Sequence, residues 1–445
     1  MDLDGELEPD GRYHYRFRYD GVESRTGRCR TLPAPGSSPE RLRLAVVSCQ
    51  HYQNGYFGAY GHVADADVDF VLHLGDYLYE SADQRYRAPG APVYGGRALS
   101  LPSGHDVVHT LADFRHLYRT YRSDGLLQAA HENHTFLRCW DDHAVTNNRY
   151  WDYEADAPAA PDHPRGDDPA FMRGLTGAGI QSWWEYTPAR IDYDPDADHL
   201  HDAFRLWRRL DFGDLASLLL TDERLFRSPP PGERGRRRWR PGRLGGDPDR
   251  TMLGDEQRQW LTDAVRSSER RWTVWGNEVL STPFRVGVGP ASVHPNPDAW
   301  DGYAYERDRI FAALARAENA VTLTGDMHTT MAGYQRLPDG ATVGVEFMTP
   351  SVTSVNIAEA VGVESGLRKR LTRPVASWLA GAMNPHLEFF DSHHWGYSTV
   401  EFTRDACTHT TYAVDKTEDD ADADRRPLAR FRVPAGSDEI HRRPV

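Results

Sequence analysis

Five short apolar runs in this chain break off on side chains that bind metals or move protons. "LRLAVVSCQ" delivers Cys49, "FVLHLGD" Asp76, "TFLRCWDDH" Asp141, Asp142 and His143, "RWTVWGNE" Asn277, and "AVTLTGDMH" Asp326 and His328. Thiolate, carboxylate, imidazole and carboxamide groups form the donor set of a metal centre, and Tyr79, three residues past Asp76, adds a phenol. Each residue alone has a plainer reading. Cys49 is also a small buried apolar residue, Tyr79 also a core aromatic, "GD" before an aromatic also a turn, and Asn147 and Asn148 in "DDHAVTNN" also loop caps. Their coincidence at five run ends is what points to chemistry.

Such runs are strand interiors, and something must bring their ends together. In an open α/β sheet the carboxyl ends of the strands converge on one edge, so groups placed just past each strand share a site. Gly75 lets the chain turn sharply before Asp76 and lets another group approach. Between the runs, "TLADFRHLYRTYRSDGLLQAAHE" and "GDEQRQWLTDAVRSS" repeat apolar residues at three and four, which predicts helices. From Leu44 onward this alternation predicts an α/β or layered αββα domain.

The flanks read differently. Residues 12 to 32 alternate around a "YDG" turn, giving one or two strands that are too few to fold alone, and "PAPGSSPE" follows as a linker. The tail beginning "DKTEDDADADRR" is charged and poor in apolar residues, so it is expected to be irregular. "SPPPGERGRRRWRPGRLGGDPDR" reads as a solvated loop, with anion binding by its arginines as the other reading. The division that follows is 1 to 40, 41 to 415 and 416 to 445.

Composition narrows the class. The formal net charge of -14 opposes a protein built to grip nucleic acid along a basic face. Lys369 and Lys416 are the only lysines among many arginines, a bias that fits a GC-rich genome with or without adaptation to salt. Four dispersed cysteines give no disulfide scaffold. No apolar run approaches the roughly 18 residues of a membrane span. The acidic start "MDLDGELEPDG" is not an export signal, so the chain as written reads as cytoplasmic.

With "FVLHLGDYLYE", "FLRCWDDHAVTNN", "LDFGDLASLLLTDERLFR", "MLGDEQRQWL", "WGNEVLSTP", "WDGY", "LTGDMHTTM", "VEFMTPSVTS" and "HHWGYSTVEF" in this order, residues 41 to 415 resemble the PhoD-type alkaline phosphatase/phosphodiesterase family of the calcineurin-like metallophosphoesterases. The resemblance implies a four-layer αββα sandwich around a multinuclear centre of iron(III) and calcium. It implies that Cys49, Asp76, Tyr79 and His328 hold the iron, and that Asp76 bridges to a second metal held by Asn147 and Asp326, with Asp141, Asp142 or Asn147 each a candidate ligand from the motif "WDDHAVTNN". It places Asp142 and His143 where a phosphate is met and its leaving oxygen protonated, and it makes Arg224 or Arg227 a candidate phosphate clamp, the alternative being a surface ion pair. The cations would bind phosphoryl oxygens and acidify a water.

Three positions depart from the family pattern. Ala144 follows His143 where an acidic residue is common, and Glu278 stands where glutamine is common. Residues 12 to 34 resemble only the last strands of the β-sandwich that often precedes the catalytic domain behind an export signal, so a truncated start would make the protein extracellular. The expectation is hydrolysis of small-molecule or polymer phosphate esters. The alternatives are a diesterase restricted to a lipid, polymer or nucleotide, and a non-catalytic relative that binds metal and phosphate.

Overall fold

The structure, a computed structural model, describes residues 3, 5–88, 90, 91, 94–232, 247–287, 289 and 292–445. Most of the arginine-rich segment read above as a loop with possible anion binding lies outside them.

Period-two apolar patterning builds two seven-stranded sheets. In the first, Arg41–Val47, Phe70–His73 and Thr135–Arg138 run parallel. Beside Arg41–Val47 the antiparallel strands Gly396–Thr403, Ala406–Val414, Arg425–Pro434 and His441–Arg443 complete the order. In the second, Ala216–Leu220, Trp272–Asn277, Ala320–Thr324 and Thr342–Met348 run parallel. Arg208–Phe212 flanks them antiparallel on one side; on the other Thr330–Arg336 pairs antiparallel with Thr342–Met348, and Leu387–Asp391 antiparallel with Thr330–Arg336.

Alternate residues of the second sheet face two different cores. Leu218, Leu220, Val274, Val321 and Leu323 join Leu44, Val46, Phe70 and Leu72 of the first sheet in one apolar cluster. Their neighbours Leu219, Trp275 and Ala320 pack instead with Leu261 of the helix Gly254–Arg266 and Ile310 of Ala304–Leu314. Aromatic pairs tie the sheets together, Phe70 with Phe212 at 5.4 Å and Trp272 with Phe402 at 5.7 Å between ring centroids. On the far side of the first sheet, Leu117, Leu127 and Leu175 of the helices Leu111–Tyr121, Gly125–Asn133 and Pro169–Tyr186 belong to the main core. This is the expected α/β sandwich, and it turns the carboxyl ends of the parallel strands of both sheets toward one rim.

Two expectations are corrected at the ends of the chain. The tail after Asp415 is not irregular: Arg425–Pro434 pairs along Ala406–Val414, with Ala429, Phe431 and Val433 buried between exposed or half-buried arginines. Acidic residues before this strand lowered the average hydropathy and hid a period-two pattern that composition does not see. The acidic turn itself is docked, since a side-chain carbon at Gly61 would stand 2.5 Å from the Ala421 backbone. Near the start, four short strands form two ribbons, Arg12–Tyr15 with Gly27–Arg30 and Arg18–Tyr19 with Val22–Glu23. The first ribbon lies along the edge of the first sheet, where the Arg30 N–H donates to Thr135 Oγ1 at 2.9 Å.

The single helical stretch read over residues 110 to 132 is two helices. Asp124 breaks it and caps the second, accepting from the N–H groups of Leu126 and Leu127 at 2.9 Å each.

Candidate metal centre

All five apolar runs are strands, and residues that follow four of them meet at the shared rim. The Cys49 N–H donates to Gly75 O at 3.2 Å and the Gln50 N–H to Asp76 O at 3.0 Å, so the first two strand exits are tied together. Gly75 has φ of +107°, and a side-chain carbon there would sit 2.5 Å from Asp141 Cβ. Only glycine lets the third exit come so close.

Backbone strain is concentrated here. Cys49, Asp76, Asp326 and His328 all hold positive φ, at 59°, 56°, 68° and 53°. A side chain in the left-handed region costs on the order of 1 kcal/mol, and four of the proposed ligands carry that cost together. Strained exits aim these side chains back over the sheet ends instead of along the next loop.

The resulting geometry holds two triads that share one member. Cys49, Asp76 and His328 each place a ligand atom within 4.8 Å of the others, and so do Asp76, Asp142 and His143. Tyr79 belongs with the first triad: its hydroxyl donates to Asp76 Oδ2 at 3.1 Å and lies 3.2 Å from His328 Nε2. His328 Nδ1 donates to Val355 O at 2.6 Å, leaving Nε2 to face the cluster, and burial lowers its pKa to about 4, so the ring is neutral and free to ligate.

The donor set fits cations. Asp76 Oδ1 and Asp141 Oδ2 are buried without a hydrogen-bond partner. Burial first, and neighbouring carboxylates after it, push Asp76 and Asp326 well above the usual carboxylate range. Burial and then Asp76 likewise raise the Cys49 thiol. A bound cation reverses this logic by favouring the deprotonated ligands.

His143 is held from behind. Its Nδ1 faces Glu80 Oε2 at 2.6 Å, and Glu80 also accepts from the Tyr86 hydroxyl at 2.6 Å and the Asn147 N–H at 2.8 Å. Burial opposes charge on the ring, but Glu80, Asp76 and Asp142 outweigh it and raise His143 to about 10. The ring also lies 4.0 Å from Tyr79 and 4.6 Å from Tyr86, centroid to centroid.

The arginines are not at the surface. Arg224 and Arg227 are both fully buried. Arg224 Nε pairs with Asp141, Nη1 reaches Asp298 at 2.6 Å, and Nη2 reaches Asp326 at 3.3 Å and Asp142 at 3.7 Å. Arg227 donates to Asp298 O at 2.8 Å and Arg149 O at 2.6 Å. The surface ion-pair alternative is therefore replaced by a buried network in which Arg224 gathers the carboxylates.

Asn147 and Asn277 stand apart from the triads. Asn147 Nδ2 donates to Asp162 at 2.5 Å. Asn277 is a core fastener, accepting from Trp300 Nε1 at 2.9 Å and donating to Thr324 Oγ1 at 3.3 Å. Ala144 is buried in the main core beside His143. Glu278 faces Glu223 in a reciprocal pair, each backbone N–H donating to the other carboxyl, at 2.7 and 2.9 Å. Burial and then Glu223 push Glu278 well above its ordinary value, so it is held neutral.

Four participants lay outside the expected set. Glu80 ends the run "FVLHLGDYLYE", one residue past Tyr79, and its partner His143 comes from another segment. Asp298 and Asn296 sit in "NPD", just ahead of "WDGY", and Asn296 Nδ2 donates to Asp326 Oδ2 at 3.2 Å. Ser354 donates to the Tyr79 hydroxyl at 2.6 Å from the end of "VEFMTPSVTS".

Known proteins resemble this chain over most of its length. The family described as "PhoD-like phosphatase" matches residues 44–411. Alkaline phosphatase D of Bacillus subtilis (strain 168) is 31% identical over 403 residues, covering 89% of this chain and 63% of that protein. The chain thus spans less than two thirds of that relative's length. A solved structure titled "Structure of PhoD" superposes with a TM-score of 0.80 at 27% identity, covering 98% of this chain and 78% of the other. The purple acid phosphatase PPD1 from yellow lupin (Lupinus luteus) seeds shares the fold, with a TM-score of 0.50 at 12% identity over 98% of this chain and 60% of that one.

Proposed function

The chain belongs to the PhoD-like phosphatase family, and from that premise we propose that it hydrolyses phosphate esters at the rim where the two sheets end. The observation that carries this reading is Asp76, common to both ligand triads and with one oxygen buried and unpaired. Thiolate and phenolate donors suit a trivalent iron, so Cys49, Asp76, Tyr79 and His328 would hold it. Oxygen donors suit calcium, which Asp141 and Asp326 would hold together with Asp76, Asn147 lying apart with its amide on Asp162. Bound cations supply charge for the phosphoryl oxygens and acidify water.

The protein's own groups do the rest. Glu80 fixes His143 through Nδ1, so Nε2 is the ring atom left to hand a proton to the leaving oxygen. Asp142 is fixed beside it, its two carboxylate oxygens accepting from the N–H groups of His143 at 2.9 Å and Asn148 at 2.8 Å. Arg224 keeps Asp141 and Asp326 in register for their ligands and offsets part of their charge, which supports a positioning role more than a direct phosphate clamp. A neutral Glu278 has the shape and charge of the glutamine common at that position and leaves the site's electrostatics intact.

Metal analysis of the purified protein, alongside hydrolysis of p-nitrophenyl phosphate and bis-p-nitrophenyl phosphate with and without added calcium, tests the proposal. Bound metal with turnover supports it, and the ratio of the two rates separates monoesterase from diesterase. Metal without turnover on either compound favours a binding protein; no metal after reconstitution removes the site assignment.

A further inference from the structure

The helix Gly366–Met383 is built inside out. Of its 18 residues only Ala380 is buried. Leu367, Leu371, Val375, Trp378 and Leu379 are exposed at 68%, 62%, 53%, 70% and 42%. Their spacing of four, four, three and one places them on one face of the helix. The inward face is polar or small: Thr372 Oγ1 lies 3.0 Å from His393 Nε2, Arg373 Nε donates to Asp391 at 2.5 Å, and Ala376, Ser377 and Ala380 follow. The helix is fastened at its far end too, where Asn384 Nδ2 donates to Arg285 O at 3.0 Å. Ile357 and Val361, exposed at 42% and 67%, lie in the segment that leads into the helix.

Charge says what would cover this face. The helix carries Arg368, Lys369, Arg370 and Arg373 and no acidic residue, in a chain whose net charge is -14. Arg368 and Arg370 are exposed and flank the apolar stripe on its two sides, while Lys369 and Arg373 lie behind it. Leucine and tryptophan on one face with arginines at its borders is the pattern of a helix lying in a membrane interface. A second copy docked through the same face would be related by a two-fold axis and would bring these arginines near their own counterparts. An anionic lipid surface meets both the apolar stripe and its positive borders, and repels most of the remaining acidic surface.

We propose that the outer face of Gly366–Met383 docks on an anionic lipid bilayer. Docking there sets the metal centre close to the lipid, because the segment entering the helix carries Val355 and Ser354, which hold His328 and Tyr79.

Co-sedimentation with vesicles of phosphatidylcholine, with or without one quarter phosphatidylglycerol, tests this without reference to any catalytic activity. Binding to the anionic vesicles at low salt is expected to exceed binding to the neutral ones by about tenfold or more. The double variant Leu371→Gln/Trp378→Ser is expected to lose that binding with an unchanged melting temperature, and Arg368→Gln/Arg370→Gln to lose most of its salt dependence. Parent protein that stays in the supernatant with both vesicles overturns the proposal, as does a double variant that sediments like the parent. Loss of a dimer in the double variant, without vesicle binding by the parent, assigns the face to a second copy instead.

Discussion

His143 and Glu80 form a buried pair 2.6 Å apart, in which the histidine's Nδ1 is held and its Nε2 is turned toward Asp76 and Asp142. Glu80 sits at the end of the second strand's exit and His143 at the end of the third, so the pair links two of the loops that build the site. Glu80→Gln keeps the shape and removes the charge that, against burial, raises His143 to about 10. The charged ring is present below that pKa and lost as pH rises through it. The variant is therefore expected to lose the alkaline limb of its rate profile at lower pH than the parent. Turnover should fall by about 10- to 100-fold, with KM changing less, as measured by kcat and KM across pH.

Asp76 is shared by both triads, so its replacement acts on both. Asp76→Asn is expected to lower bound metal and abolish hydrolysis together. Metal analysis and turnover that are both retained would remove its shared role. Cys49→Ser is expected to eliminate charge-transfer absorption from an iron–thiolate centre, read in the visible spectrum of the purified protein.

Glu278 is held protonated by burial beside Glu223. A carboxyl whose folded-state pKa is raised binds more protons folded than unfolded, so its contribution to stability falls as pH rises above its ordinary value. Glu278→Gln carries no such loss. Its melting temperature is expected to match the parent below about pH 4.5 and to exceed it increasingly as pH rises above that value, in parallel thermal melts.

His409 lies between the sheets, stacked on Phe347 at 4.6 Å between ring centroids, with Nδ1 unpaired. Burial lowers it to about 3, so the unfolded chain takes up a proton below pH 6.5 that the folded chain refuses. Stability is lost as pH falls through that window, by roughly 2 kcal/mol around pH 5. His409→Phe keeps the stacking and removes the proton, and its acid-unfolding midpoint is expected to move to lower pH.

The sequence by itself determined the strands and the ligand-type residues at their exits, because period-two burial and polar residues just past an apolar run are local patterns. Cys49, Asp76, Tyr79 and His328 were legible for that reason. The strand Arg425–Pro434 was missed, since the acidic stretch before it diluted the apolar signal. Only the tertiary structure decided which polar groups face one another. Arg224 could be named from its motif, but its choice of carboxylates over the surface depended on Asp298 and Asp326 arriving from segments 74 and 102 residues away. Glu80 gained a role when a loop 63 residues later brought His143 to it. Such partners are fixed by sheet topology and by the close approach that Gly75 allows, and neither is encoded in spacing along the chain.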